Sequence, residues 1–224
     1  MDPAAQLWFA TAAFIATHFV TSTPLRGALV RGLGERPYTA LYSLVAFATL
    51  GWMIWAFARA TDEPLWQGWR ELPVWIMPVA FVLLACGLFA RNPTLVGADR
   101  LLKSEEPARG IIRVTRHPIM WGFMIWGAAH VLARGELNSV VFFGGLFAVA
   151  ALGTLLMDGR KARTLGDDWK RFAGVTSNVP FVAIAQGRNR LNFAEIGWRN
   201  PAIGLALYGV FFWAHPILFG APAY

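Results

Sequence analysis

A chain of 224 residues that is 56% hydrophobic and only 15% charged, with eleven tryptophans, is too apolar to be an ordinary soluble domain. Its formal charge of +7 would suggest nucleic acid in a soluble protein. In a membrane protein the same charge sets topology, so the expected partner is the lipid bilayer and no nucleic acid.

Apolar runs of bilayer-crossing length occur at about 4–22, 38–58, 73–90, 117–133, 138–157 and 201–219. They predict an all-α integral membrane bundle of about six transmembrane helices in a single domain, 1–224. Unpaired backbone is not tolerated in lipid, and no segment alternates as a barrel strand does. The first run follows Asp2 and lacks a basic leader region, so it reads as a retained span and not a cleaved signal. Cys86 is the one cysteine and lies inside the third run, where it reads as a small core residue. Pro24, Pro37, Pro64, Pro73, Pro93 and Pro201 mark helix ends.

The basic residues alternate between connections. Loops after the first, third and fifth spans hold 17 of the 20 Lys and Arg. The other connections hold only Arg59, Arg70 and Arg134, and the tails hold none. This predicts a bacterial cytoplasmic-membrane protein with the three basic loops inside and both termini outside. The long basic segment 158–200 contains the apolar stretches 181–185 and 193–198, expected to form short interfacial helices with a turn at Gln186-Gly187 between them.

All four histidines, His18, His117, His130 and His215, fall within or at the edge of a span. Ionisable groups at membrane depth are costly and mark function. Histidines presented across a bundle suit haem or a metal, and no zinc spacing is present. His117 and His130 stand about 20 Å apart along one helix, so they cannot share an iron. Depth alone favours His18 with His117 and His130 with His215. Arg116-His117-Pro118 opens the fourth span and makes an anion-friendly mouth.

Several short motifs together resemble the NnrU family of bacterial membrane proteins over nearly the whole chain. They include Thr17-His18-Phe19, Gly34-Glu35-Arg36, Asn92-Pro93-Thr94, Thr115-Arg116-His117-Pro118, Ala129-His130, Thr176-Ser177-Asn178-Val179-Pro180-Phe181, Glu195-Ile196-Gly197-Trp198 and His215-Pro216. The resemblance implies a role in denitrification, in nitrite and nitric oxide metabolism; an alternative is a non-catalytic assembly partner of respiratory membrane enzymes. The family is similar to the 15-cis-zeta-carotene isomerases, which hold haem b through histidines. That likeness implies His18 and His130 as iron ligands, with His117 at the intervening position. The isomerases' redox-switching cysteine corresponds to Gly127 here.

A more distant resemblance covers about 91–181. Membrane methyltransferases of the isoprenylcysteine carboxyl methyltransferase type share Arg116-His117-Pro118 with Gly122, then an acid matched by Asp158 and a run matched by 165–172. It implies an alternative cytoplasmic site of Arg116, His117 and Asp158 for S-adenosylmethionine. Met120 stands where those enzymes have tyrosine.

Overall fold

The computed structural model describes residues 2–223. The described residues form two short 3-10 helices, Val20–Ser22 and Asp99–Lys103, and ten α-helices: α1 (Pro3–Phe19), α2 (Pro24–Leu33), α3 (Glu35–Phe57), α4 (Leu72–Phe89), α5 (Ile111–Val114), α6 (Pro118–Arg134), α7 (Leu137–Val175), α8 (Val182–Ala185), α9 (Phe193–Ile196) and α10 (Arg199–Phe219). Among those residues there is no strand; one isolated bridge pairs Pro64 with Glu136. α3, α4, α7 and α10 are long and apolar enough to cross a membrane. α1 and α6 have 17 residues each, the short end of the spanning range. All six coincide with the apolar runs.

The ends follow from local chemistry. Asp2 caps α1 by accepting from Ala5 N, and proline opens α1, α2, α4 and α6 where no amide partner is needed. Gly135 ends α6 at φ 69°, and a Cβ there would lie 2.3 Å from the Trp66 carbonyl oxygen. Only glycine fits such a left-handed, crowded position.

Two elements differ from expectation. The connection 23–37 contains a helix, α2, although its glycines and arginines read as a loop. The span expected to end at 157 continues to Val175, because Arg160 to Arg163 are good helix formers once outside lipid. A break at Gly166, φ 53°, redirects the extension. The two expected short helices are α8 and α9, with the Gln186-Gly187 turn between them.

In space α3 packs against α1 and α7, α1 against α7, α7 against α6, α6 against α4, and α4 against α10. Without a hydrophobic force between helices in lipid, close approach of small residues holds such seams. A Cβ on Gly122 would reach within 2.7 Å of Leu84, one on Gly145 within 2.5 Å of Thr11, and one on Gly204 within 2.7 Å of the Phe81 carbonyl. At the end opposite the basic loops, Trp8, Trp55, Trp66, Trp69, Trp75 and Trp213 are exposed. They form the belt expected at a bilayer boundary. At the basic end, 92–116 folds into a compact cap whose Leu102 and Ile112 pack with Cys86, Trp169 and Phe172. Cys86 is the buried core residue it was expected to be.

Candidate functional site

The polar centre of the molecule lies where this cap meets α6 and α7. Asn92 begins it. Its amide donates to the Gly87 carbonyl, while its side-chain oxygen accepts from Thr94 N and Oγ1. The single Thr94 hydroxyl proton is shared between that oxygen and the Arg116 carbonyl, at 2.7 and 3.1 Å. From the other side, 176–181 runs alongside 114–117. Arg116 N donates to Ser177 O, Phe181 N to Val114 O, and Thr115 Oγ1 to Asn178 O at 2.6 Å. These bonds over-determine the backbone at Arg116 and His117.

His117 caps α6 and is 1% exposed. Its Nε2–H donates to Asp158 Oδ1 at 2.6 Å across to α7. Arg116 Nη1 stands 3.6 Å from Asp158 Oδ2. Asn178 closes the far wall: its amide donates to Thr154 Oγ1, and its carbonyl accepts from Trp121 Nε1. Trp169 forms the floor, its ring 6.0 Å from the Arg116 guanidinium and 5.9 Å from Lys161 Nζ. Lys161, itself buried, pairs with Asp99 and donates to the Pro93 carbonyl. Burial pulls the Arg116 guanidinium below its usual value; Asp158 opposes this and Arg188 adds to it.

The three residues of the alternative cytoplasmic site, Arg116, His117 and Asp158, are therefore brought together. Trp169, from the 165–172 run, joins them. Thr154, Asn178, Trp121 and the Lys161–Asp99 pair were missed. Thr154 carried a faint signal as a hydroxyl inside an apolar run, and Asn178 one as part of a motif quoted only for resemblance.

The other histidines are elsewhere. His18 Nδ1–H donates to the Phe14 carbonyl at 2.8 Å, and its ring faces Phe14 and Tyr42 of α3. His130 repeats the pattern: Nδ1–H donates to Trp126 O at 2.8 Å, and the ring lies against Trp126 and Phe143. His215 Nδ1–H donates to Ala221 O and the ring meets Phe219. In His18 and His130 this bond fixes the tautomer whose lone pair is on Nε2, the form that ligates iron.

As donors, each suits haem; they sit on helices that pack on different faces of α7. Gly145 of α7 packs on Thr11 of α1, whereas Phe143 and Phe147 of α7 pack on Gly127 of α6. Residues 145 and 143 project about 160° apart around a helix. α7 thus stands between the helices that carry His18 and His130, and metal–imidazole bonds span only about 2 Å each. Gly127 also has a packing role, since a Cβ there would lie 2.9 Å from the Phe143 carbonyl oxygen. Among the described residues no group of three or more His, Cys, Asp or Glu could hold a metal ion.

The chain is 32% identical over 203 residues to the chloroplastic 15-cis-zeta-carotene isomerase of Arabidopsis thaliana, covering 84% of this chain and 54% of the plant protein. It is 31% identical over 197 residues to the enzyme of that name from Zea mays, covering 83% and 53%. The chain thus spans about half the length of the curated relatives it matches. No solved structure matches it. The family model described as NnrU protein matches residues 6–223, and the chain belongs to the NnrU family.

Proposed function

We propose that this protein is a membrane enzyme of an isomerase-like kind. It acts at the basic end of its bundle on a hydrophobic substrate dissolved in the bilayer. The observation that carries this reading is the His117–Asp158 pair, 2.6 Å apart with the imidazole sealed from solvent and Arg116 beside it. An imidazole held by a carboxylate keeps one tautomer and one orientation, which suits it to carry a proton to and from a substrate. Such groups at the edge of a membrane are costly to keep unless used. The basic loops, by the positive-inside rule, face the cytoplasm of a bacterial inner membrane, with both termini outside.

The relatives' name supplies the first substrate, a 15-cis-zeta-carotene. In proteoliposomes the wild type is expected to change its isomer ratio, read by chromatography. His117→Ala and Asp158→Asn should each slow this by about 100-fold or more. Conversion that persists undiminished in both folded variants would sink the assignment. S-adenosylmethionine is the control ligand: saturable binding lost in His117→Ala would turn the reading to methyl transfer.

A second reading rests on the locked tautomers of His18 and His130. With α7 between them, a b-type haem would take one histidine, His130 before His18, because the His130 ring lies among Trp126 and Phe143. Haem would supply redox chemistry and affinity for small ligands such as nitric oxide. That is the form in which the protein would serve nitrite and nitric oxide metabolism beside respiratory enzymes. Oxidised and reduced absorbance spectra of the purified protein decide it. A Soret band lost in His130→Ala and kept in His18→Ala is expected; loss in both variants would mean paired ligation, and a colourless protein from haem-supplied cells would end this reading.

A further inference from the structure

The arginines of the basic end differ in how they are used. Arg113 donates to both oxygens of Glu195 and to Asn189 Oδ1. Arg188 donates to the carbonyls of Ala173, Gly174 and Thr176 and to Gln186. Arg171 donates to the carbonyls of Leu102 and Ser104. Arg116 is 13% exposed, yet no N–H of its guanidinium makes a hydrogen bond among the described residues. Its Nε is buried without a partner, and its nearest carboxylate oxygen is 3.6 Å away. A buried donor left unmade costs about 1–3 kcal/mol, more for a charged group. The fork is therefore missing an acceptor.

Charge and shape narrow that acceptor. Lys161 is neutralised by Asp99, and the donors of Arg188 are spent on carbonyls. Asp158 at 3.6 Å already offsets part of the Arg116 charge, which favours a monoanion over a dianion. A planar monoanion matches a planar guanidinium through two parallel hydrogen bonds. The apolar side chains of Leu152, Leu155 and Leu156 are exposed on α7 just before Asp158, which offers a lipid-side path for a tail.

We propose that Arg116 seats the carboxylate of an amphiphile, head at the basic end and tail along α7. This binding goes beyond the reaction assigned to His117 and Asp158 and does not depend on it. Where the substrate is a hydrocarbon, the amphiphile competes with it.

The test uses the full chain in phosphatidylcholine nanodiscs with decanoate, acetate and decanol as probes, measured by titration calorimetry and thermal midpoint. Decanoate is expected to bind saturably and raise the midpoint; decanol should do neither. Arg116→Gln should weaken decanoate at least 10-fold, and Arg116→Lys, which keeps the charge but loses the fork, by less. Arg59→Gln, at the other end of the bundle, should leave it unchanged. Decanoate binding without acetate binding supports the amphiphile; acetate binding as tightly as decanoate would overturn the tail site and leave a soluble acid as the ligand. Decanoate binding that is absent, or equal in wild type and Arg116→Gln, overturns the proposal and leaves a water as the missing acceptor. Since binding is read without turnover, its failure is separate from failure of the isomerase-like reading. Arg116→Lys keeps the test valid if Arg116→Gln does not fold.

Discussion

Glu195→Ala is expected to release the segment 176–198 from the body of the protein and to cost about 1.5–3 kcal/mol, the range for losing hydrogen bonds to a charged group in a partly buried pair. Glu195 accepts from Gly110 N at 2.9 Å and from Arg113 Nε and Nη2 at 2.7 and 2.8 Å, a bidentate clamp. Arg113 extends the clamp through Asn189, whose amide donates to Val175 O. Removal leaves the partly buried Arg113 guanidinium with only the exposed Glu106 carboxylate at 3.8 Å and Asn189, on the turn that leads into Thr115 and His117. Hydrogen exchange in 182–198 should rise to near-unprotected rates.

The same latch carries a pH signature. The bonds from Arg113, helped by Gly110, hold the Glu195 carboxyl down from 4.5 to about 2. A carboxyl depressed in the folded state contributes stability that is complete above its unfolded value and is lost as pH falls through the folded one. The contribution at neutral pH is at most about 3 kcal/mol, and it should fade between pH 4.5 and 2. Glu195→Gln should remove that acid-dependent component and keep part of the hydrogen bonding. Superimposable pH–stability curves for the wild type and Glu195→Gln would refute the latch.

Gly122→Val is the second change with a large expected effect. Its Cβ would meet Leu84 Cγ at 2.7 Å and the Ala80 carbonyl oxygen at 3.0 Å, and the second contact is backbone that cannot rotate away. Forced separation of α4 from α6 should cost about 1–3 kcal/mol or more. For a chain of this size each kcal/mol lowers the melting midpoint by about 2–4 °C. α6 begins at Pro118, so its displacement also draws His117 off Asp158 and should lower turnover beyond the loss of folded protein. Gly144→Val is the control, since a Cβ there meets nothing within 4 Å. Equal midpoints for the two variants would show that the seam is not set by Gly122.

Much of the architecture was legible because a bilayer constrains it. Six apolar lengths give six helices, and proline and glycine punctuate them. α2 was not legible: Arg26, Gly27, Arg31 and Gly32 look like loop, and only proximity to α3 makes them helical. The candidate site was half legible. Arg116-His117 and Asp158 stand out in their runs, but Thr154 and Asn178 are polar for the sake of each other across 24 residues. No local pattern encodes that pairing. For His18 and His130, hydropathy reads depth along the membrane normal. It carries nothing on lateral order, and it is lateral order that puts α7 between them.

The last helix has its own consequence for how the molecule is made. α10 touches the rest of the bundle through α4, and Gly204 is its one buried residue. Every other seam closes among residues that leave the ribosome earlier. Biogenesis can therefore complete five spans and the basic cap before α10 arrives, and α10 then docks as a late, separable addition.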